Sequence, residues 1–571
     1  MSQVVDLFLK GGRVLLSTVS GIASTNAAMI RYFDTDVEAI DIITTKSYQH
    51  EVNPGNREPI ICEVEAGTFG NSVGLRNPGL DVALYELRQL RKSHQFRALL
   101  NVSLSASSPE DFVILVKAFD EVADLVELNF SCPHAEAGYG STIGENLELA
   151  AHYVRFIKEH TTECKAPLFV KLTPNVEDIG SIAKAVVSAG ADGLVAINTV
   201  GPLLHIDPVS KTPILQNNLG GKGGQSGKAV FPIALSAIAS IRNAVGPSIP
   251  IIGMGGVDCA ESALALLEAG ANVIGIGSAL GRVNQQEWPL YLKSLKDGII
   301  HLQGKGSAPS LSAASFLADE RQMAYRKHTV VEAQAYGSDT VILRLDGELP
   351  TQAGQFAFLW LPQIGEKPFS VAHNDPLTFV IKRRGPFSDA LCSLHVGDDL
   401  YIRGLYGQGF DPPKTKKAIL IGGGTGVAVL PALAEQLTDN GVELEILVGT
   451  SEVVEGPPLL EEQLSVFGAF TCVADNGKPA RVLDLLSDRV FTEETAAYLV
   501  GPQIFMTLAA RILLEQGVVE KNLFLSQELM TLCGIGMCGE CVCGDRLTCQ
   551  WGTFMEYTYL KENAPALLAY D

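Results

Sequence analysis

Ile249-Pro-Ile-Ile-Gly-Met-Gly-Gly256 and Asn272-Val-Ile-Gly-Ile-Gly-Ser278 decide how the first half of this chain folds. Each is a short β-branched run that breaks into glycine, the pattern of a strand buried on both faces and ending in a tight loop. Reading outward, similar runs recur at Val14–Val19, Ala39–Thr45, Leu99–Leu104, Leu125–Asn129, Leu168–Leu172 and Gly193–Asn198, with helix-period segments between them. With Ile249–Met254 and Asn272–Ile276 these make eight strands. The expected fold of residues 1–303 is α/β, a TIM (β/α)8 barrel, with an open doubly wound sheet as the alternative. Barrel chemistry sits on the loops that follow the strands. Gly255, Gly256, Gly277 and Ser278 stand where bare backbone can approach phosphate oxygens, although plain tight turns would read the same.

Strand ends and loop mouths elsewhere are polar. They carry Lys46, Asn71, Asn77, Asn101, Asn129, Lys171 and Asn198. Any one of these side chains can cap a turn. As a set they point to a planar ligand with many donors and acceptors, held above a phosphate-bearing cofactor.

At 571 residues the chain exceeds one core and is expected to form two to four domains. Its 43 basic and 64 acidic residues give a net charge of −21, which opposes nonspecific attraction to nucleic acid or anionic lipid and leaves small molecules as the expected partners. No N-terminal stretch has the form of a targeting signal, and the most apolar run, Ala418 to Ala432, is interrupted by glycines and Pro431. A soluble cytoplasmic protein is expected, with no membrane and no nucleic-acid partner. Eleven cysteines, five of them between Cys533 and Cys549, fit a metal cluster in a reducing compartment better than a disulfide framework.

Residues 304–325 are rich in small and polar side chains and read as a linker. From 326 to 412, alternating runs such as Thr340-Val-Ile-Leu-Arg-Leu and Phe356-Ala-Phe-Leu-Trp-Leu predict a small antiparallel β-barrel. Residues 413–524 open on Lys417-Ala-Ile-Leu-Ile-Gly-Gly-Gly-Thr-Gly426 and read as a Rossmann-like nucleotide lobe. Residues 525–571 hold the cysteine loop. There Cys533, Cys538, Cys541 and Cys549 have the C-x4-C-x2-C…C spacing of a [2Fe-2S] site. A structural zinc site is the alternative for Cys538 and Cys541 alone. Cys543 reads as a bystander.

Several motifs now fall into a recognisable order. Asn71-Ser-Val-Gly-Leu-Arg-Asn77-Pro-Gly, Glu127-Leu-Asn-Phe-Ser-Cys132-Pro, Lys171-Leu-Thr-Pro-Asn-Val, Ile197-Asn-Thr199, Ser226-Gly227 and Gly253-Met-Gly-Gly-Val257 resemble class 1 dihydroorotate dehydrogenases. The resemblance implies FMN at the barrel mouth, with its phosphate at Gly255, Gly256, Gly277 and Ser278. Ser20, Gly21, Lys46, Asn101, Lys171, Ser226 and Gly227 would also belong to the cofactor site. Asn71, Asn77, Asn129, His134, Asn198 and Thr199 would grip the pyrimidine and its carboxylate, and Cys132 would be the general base. A thiol suits that task when neighbouring cations or amides favour its thiolate. Two departures stand out: His134 replaces the Asn common in the family, as in related dihydropyrimidine dehydrogenases, and Gly220–Gly227 reads as a lengthened, mobile loop.

Residues 326–571 resemble the electron-transfer subunit of NAD-linked dihydroorotate dehydrogenase, a branch of the ferredoxin reductase family. Lys367-Pro368-Phe369-Ser370 is similar to the Arg-Pro-x-Ser flavin signature, and Gly385 and Ser388 match the family's second phosphate contact, which implies FAD. Gly422, Gly423, Gly424, Thr425 and Gly426 would form the NAD turn, and Glu452 would disfavour a 2′-phosphate. The implied activity is oxidation of dihydroorotate to orotate in pyrimidine synthesis, with electrons passing FMN, [2Fe-2S], FAD, NAD. A homodimer through the barrels is implied as well. The alternatives are a dehydrogenase of another dihydropyrimidine, such as dihydrouracil, and a noncatalytic redox-sensing flavoprotein.

Overall fold

The computed structural model describes residues 3–130, 141–451, 456–474, 481–487 and 489–569, with the side chains of 141, 142 and 481 left aside. The chain divides into two compact units, Met1–Met323 with Ile535–Glu540, and Ala324–Gly534 with Cys541–Asp571.

In the first unit eight parallel strands close into a barrel: Leu16–Thr18, Ile42–Thr44, Leu99–Leu104, Leu125–Asn129, Leu168–Lys171, Gly193–Ala196, Ile251–Met254 and Val273–Ile276. Each pairs with its neighbours in sequence, and the ring closes where Leu16 meets Ile274. Polarity divides the interior along the strands. Ile42, Leu125, Phe169, Ile252 and Val273, each first or second in its strand, form one apolar cluster with Val5 and Phe8. Those last two come from the helix Gln3–Leu9, and the Phe8 ring packs edge-on against Phe169 with centroids 5.9 Å apart. That end is stoppered by hydrocarbon. Toward the other end the buried positions include Thr44, Asn101, Ser103, Glu127, Asn129 and Lys171, beside the apolar Val19 and Met254.

The outer helices follow from local signals. Pro109–Phe119 begins with the Ser108 hydroxyl accepting from the Asp111 N–H, has Pro109 at its first position, and buries Phe112, Leu115, Val116 and Phe119 on one stripe. Among the described residues, Lys228–Val245 is the one helical stretch long and apolar enough to cross a membrane by length and composition. Within it Ala234, Ala237, Ile238 and Ile241 are buried.

The lengthened loop expected at Gly220–Gly227 is instead mostly strand. Lys222–Gly227 pairs antiparallel with Thr68–Asn71 and Val200–Leu204 in a four-stranded sheet completed by Ile61–Glu65. Glycine permits the pairing: a Cβ on Gly227 would lie 2.1 Å from the Gly67 carbonyl oxygen. In the stretch 304–325, Ala313–Phe316 forms a 3-10 helix. Farther along, the Arg321 guanidinium donates to the Glu63 carbonyl, and the Gln322 and Met323 N–H groups donate to the buried Glu63 carboxylate.

Beside a two-stranded ribbon of Val542–Cys543 and Arg546–Leu547, the second unit contains two larger sheets. One is antiparallel and seven-stranded, in the order Gly365–Phe369, Phe356–Leu361, Asp399–Tyr406, Arg326–Tyr336, Thr340–Leu345, Leu377–Lys382, His373–Asn374. The other orders Ala469–Ala474, Glu443–Thr450, Lys417–Gly423, Thr495–Val500 and Leu523–Ser526 in parallel, with Phe554–Glu556 antiparallel at the edge. Strand order reverses between Lys417–Gly423 and Thr495–Val500, the place where doubly wound sheets open a ligand crevice.

Candidate active site

The polar end of the barrel opens into a pocket whose walls come from nearly every strand end. Ser20 and Gly21, Lys46, Asn129, Lys171, Asn198 and Thr199, Gly255 and Gly256, and Gly277 and Ser278 all line it. The small sheet adds Asn71, Ser226 and Gly227. Sites scattered over more than 250 residues of sequence are thus gathered in one cavity.

Asn101 and Asn77 are placed otherwise. Asn101 is fully buried beneath the pocket, where its amide donates to Thr44 Oγ1 at 3.1 Å and to Glu127 Oε2 at 3.4 Å. Asn77 is a strut of its loop: its oxygen accepts from the Gln49 and Gly79 N–H groups, while its amide donates to Gln49 Oε1 and the Leu75 carbonyl. Cys132, His134 and Glu452 lie outside the described residues.

Beneath the pocket floor runs a chain of polar contacts. Ser20 hydrogen-bonds Ser47 at 3.1 Å, Ser47 hydrogen-bonds Ser103 at 2.9 Å, and Ser103 donates to Glu127 Oε1 at 3.0 Å. The Asn129 amide donates to Ser47 at 3.0 Å, and Lys171 Nζ stands 3.4 Å from Glu127 Oε1. Glu127 therefore acts on pocket groups from behind. It opens the stretch Glu127-Leu-Asn-Phe-Ser, yet nothing in its spacing marks it for this place. Arg76 and Met537 also line the pocket; Met537 belongs to a distant part of the chain, so only the fold brings it here.

A phosphate-bearing ring would fit these walls. At Gly256 φ is +77°, and a Cβ would come within 2.8 Å of the Gly227 carbonyl oxygen and 2.7 Å of Phe231 Cβ. Only bare backbone fits such a turn, and bare backbone is what lets N–H groups close on an anion. The amides and ammonium groups supply the donors and acceptors a planar heterocycle requires.

The second unit has two neighbouring pockets. Lys367, Pro368, Phe369 and Ser370 line one, with Lys382, Arg384, Thr425, Gly426 and Glu528. Gly423, Gly424, Thr425 and Gly426 line the other with Gly501, Pro502 and, again, Lys382, Arg384 and Glu528. Gly422 ends up inside its strand. Ser388 serves the adjoining turn, accepting from the Arg384 and Gly385 N–H groups at the start of the helix Pro386–Leu391. Burial raises the Glu528 carboxyl above the usual carboxylate range, partly offset by Arg384. Its side chain is nonetheless exposed to the cleft.

Among the described residues no three or more His, Cys, Asp or Glu side chains form a site for a metal ion. In the second unit Cys549 is nonetheless hydrogen-bonded with both Cys533 and Cys541, and burial, then those thiols, hold its own thiol well above the ordinary value. Cys543 packs in the hydrophobic core, where burial pushes its thiol up to about 12. The fully buried Arg403 donates to the Cys533 carbonyl and forms a two-pronged pair with Glu366.

A closed parallel barrel with such a mouth defines the class, a TIM-barrel enzyme. The family model described as Dihydroorotate dehydrogenase matches residues 14–301. A Methanocaldococcus jannaschii protein named Dihydroorotate dehydrogenase B (NAD(+)), catalytic subunit, is 42% identical over 239 residues, 42% of this chain and 74% of that protein. Proteins with the same name from Methanothermobacter thermautotrophicus and Geobacillus kaustophilus are each 39% identical, covering 49% and 46% of this chain and 86% and 79% of their own. The chain belongs to the dihydroorotate dehydrogenase family and is an oxidoreductase.

Proposed function

We propose that this chain oxidises dihydroorotate to orotate in pyrimidine synthesis and passes the electrons to NAD, in the order FMN, [2Fe-2S], FAD, NAD. The observation that carries the proposal is the convergence of Lys46, Asn71, Asn129, Lys171, Asn198 and Thr199 with the glycine turns at Gly255, Gly256 and Gly277 in one pocket. Membership in the family supports the substrate, and the relatives' printed name supports NAD.

In this reading Gly255, Gly256, Gly277 and Ser278 hold the phosphate of FMN. Asn71, Asn129, Asn198 and Thr199 bind and orient the pyrimidine and its carboxylate. Lys171 keeps its position through Glu127. Cys132 accepts the proton from C5 of dihydroorotate as a hydride leaves C6, so that the new C5–C6 double bond forms with charge balanced. FMN, when bound, supplies the two-electron acceptor for that hydride.

For the second unit the proposal assigns FAD to the pocket of Lys367–Ser370 and NAD to the pocket of Gly423–Gly426, where strand order reverses. Gly385 and Ser388 would steady the second phosphate contact. Cys533, Cys538, Cys541 and Cys549 would hold the [2Fe-2S] cluster. A cluster that carries one electron at a time explains why a second flavin is needed before NAD, which accepts only hydride. A cytoplasmic homodimer completes the proposal.

Anaerobic purification, cofactor extraction and turnover of dihydroorotate and dihydrouracil with NAD test it. FMN, FAD, iron and sulfide should be recovered, and dihydroorotate should bleach the flavin and yield NADH. Bleaching by dihydrouracil alone would overturn the substrate, and flavin bleaching without NADH would overturn the electron path.

A further inference from the structure

A short segment from far along the chain, Ile535–Glu540, groups with the barrel unit. Three hydrogen bonds fix it to the loop after the first strand. The Ala23 N–H donates to the Met537 carbonyl at 2.8 Å, Thr25 Oγ1 to the Cys538 carbonyl at 3.1 Å, and Asn26 Nδ2 to the Gly539 carbonyl at 2.8 Å. Gly539 has φ +69°, and a Cβ there would lie 2.3 Å from Thr25 Oγ1. Held this way, the segment puts Met537 into the pocket wall and the Glu540 carboxylate 2.6 Å from Lys46 Nζ. Water is largely kept from the pair, whose side chains are 11% exposed at Lys46 and 22% at Glu540.

The family-model match ends at residue 301, so this counter-charge reaches a barrel lysine from outside the matched region. Lys46 is one of two lysines lining the pocket, and Lys171 already has Glu127 behind it. Each ammonium therefore has its own carboxylate. The two lysines thus offer hydrogen-bond donors to the pocket while contributing little net charge.

Resting on the reading that this pocket takes a pyrimidine, we infer that Glu540 is a specificity-determining residue: it cancels the Lys46 charge and so sets how strongly the pocket prefers an anionic ring over a neutral one. A cation paired at 2.6 Å acts on its surroundings as a dipole, and its field falls away faster than that of a lone charge. Recognition of a ring carboxylate then depends less on the lysine charges and more on the other donors of the wall, the amides and Arg76. Removing the Glu540 charge returns a full positive charge to the pocket wall. Anionic rings gain from that, and neutral rings of the same shape do not.

The ratio of two affinities separates this effect from any loosening of the segment, since a change of shape weakens both rings alike. Full-length, flavin-loaded wild type, E540Q and E540D are dialysed to equilibrium against orotate and against orotamide, its neutral isostere, at low and high salt. In E540Q the ratio should move toward orotate by about tenfold at low salt and shrink as salt is added. E540D, which keeps the charge, should stay with the wild type. An E540Q ratio within about twofold of wild type overturns the inference. If orotamide binds too weakly to measure throughout, the orotate affinity and its salt slope decide in the same sense. A wild type that binds neither ring removes the reading of the pocket, and the inference with it.

Discussion

Lys171 and Glu127 meet inside the barrel with Nζ 3.4 Å from Oε1, and the two side chains are 6% and 0% exposed. A buried pair adds little over apolar side chains of equal volume, but loss of one partner strands the other charge. Glu127→Gln should lower the unfolding free energy by about 3 kcal/mol, and adding Lys171→Met should recover most of the loss. Urea unfolding followed by hydrogen exchange of barrel peptides checks this. Simple additivity of the two losses would show that the pair is not coupled.

Gly256→Ala puts a Cβ against the Gly227 carbonyl oxygen and Phe231 in a backbone region that alanine avoids. The turn must shift, and the proposed phosphate cradle shifts with it. FMN recovered by extraction should fall by more than about half, for a strain of about 1–2 kcal/mol, while FAD content stays at the wild-type level. Full FMN retention would place the phosphate elsewhere.

Glu528 has its carboxyl raised by burial, which fixes the sign of a pH effect. A carboxyl raised in the folded state binds its proton more tightly there than in the unfolded chain. Folding stability therefore falls as pH rises from the unfolded value to the folded one and is level above it. Glu528→Gln removes the charge, so its stability advantage over wild type should be absent in acid and present at neutral pH. Melting curves of both proteins across that range decide the matter; an advantage independent of pH would exclude this origin.

The cysteines give a paired test. Cys543 belongs to the hydrophobic core, whereas Cys549 is hydrogen-bonded with Cys533 and Cys541. Cys549→Ser should abolish the visible and EPR signals of a [2Fe-2S] centre, and Cys543→Ser should preserve them. Chelation of iron should reproduce the Cys549→Ser spectrum with both flavins retained. A Cys543→Ser protein without the signals would exchange the two roles.

The barrel strands were legible because strands buried on both faces are written as short, mostly apolar runs, such as Ile251–Met254 and Val273–Ile276. The small sheet was not. Lys222–Gly227 is glycine and polar residues, and its partner Thr68–Asn71 lies some 150 residues away, so neither local propensity nor spacing announces the pairing. Pocket-lining residues were legible wherever they ended a strand. Glu127 was missed because a charge within a strand ordinarily faces solvent, and its interior place depends on Lys171 and Ser103 from neighbouring strands. Asn77, expected as a ligand contact, has its amide hydrogen-bonded to Gln49, Leu75 and Gly79 in this structure.

The two pockets of the second unit have Lys382, Arg384, Thr425, Gly426 and Glu528 in common. Two guests that lean on the same side chains cannot be indifferent to each other. Whatever occupancy of one pocket does to affinity at the other, the reverse effect must equal it in free energy. With the proposed flavin in one and the proposed dinucleotide in the other, a tightly held flavin would preset the dinucleotide's welcome, and each arrival of the dinucleotide would tug, by the same measure, on the flavin.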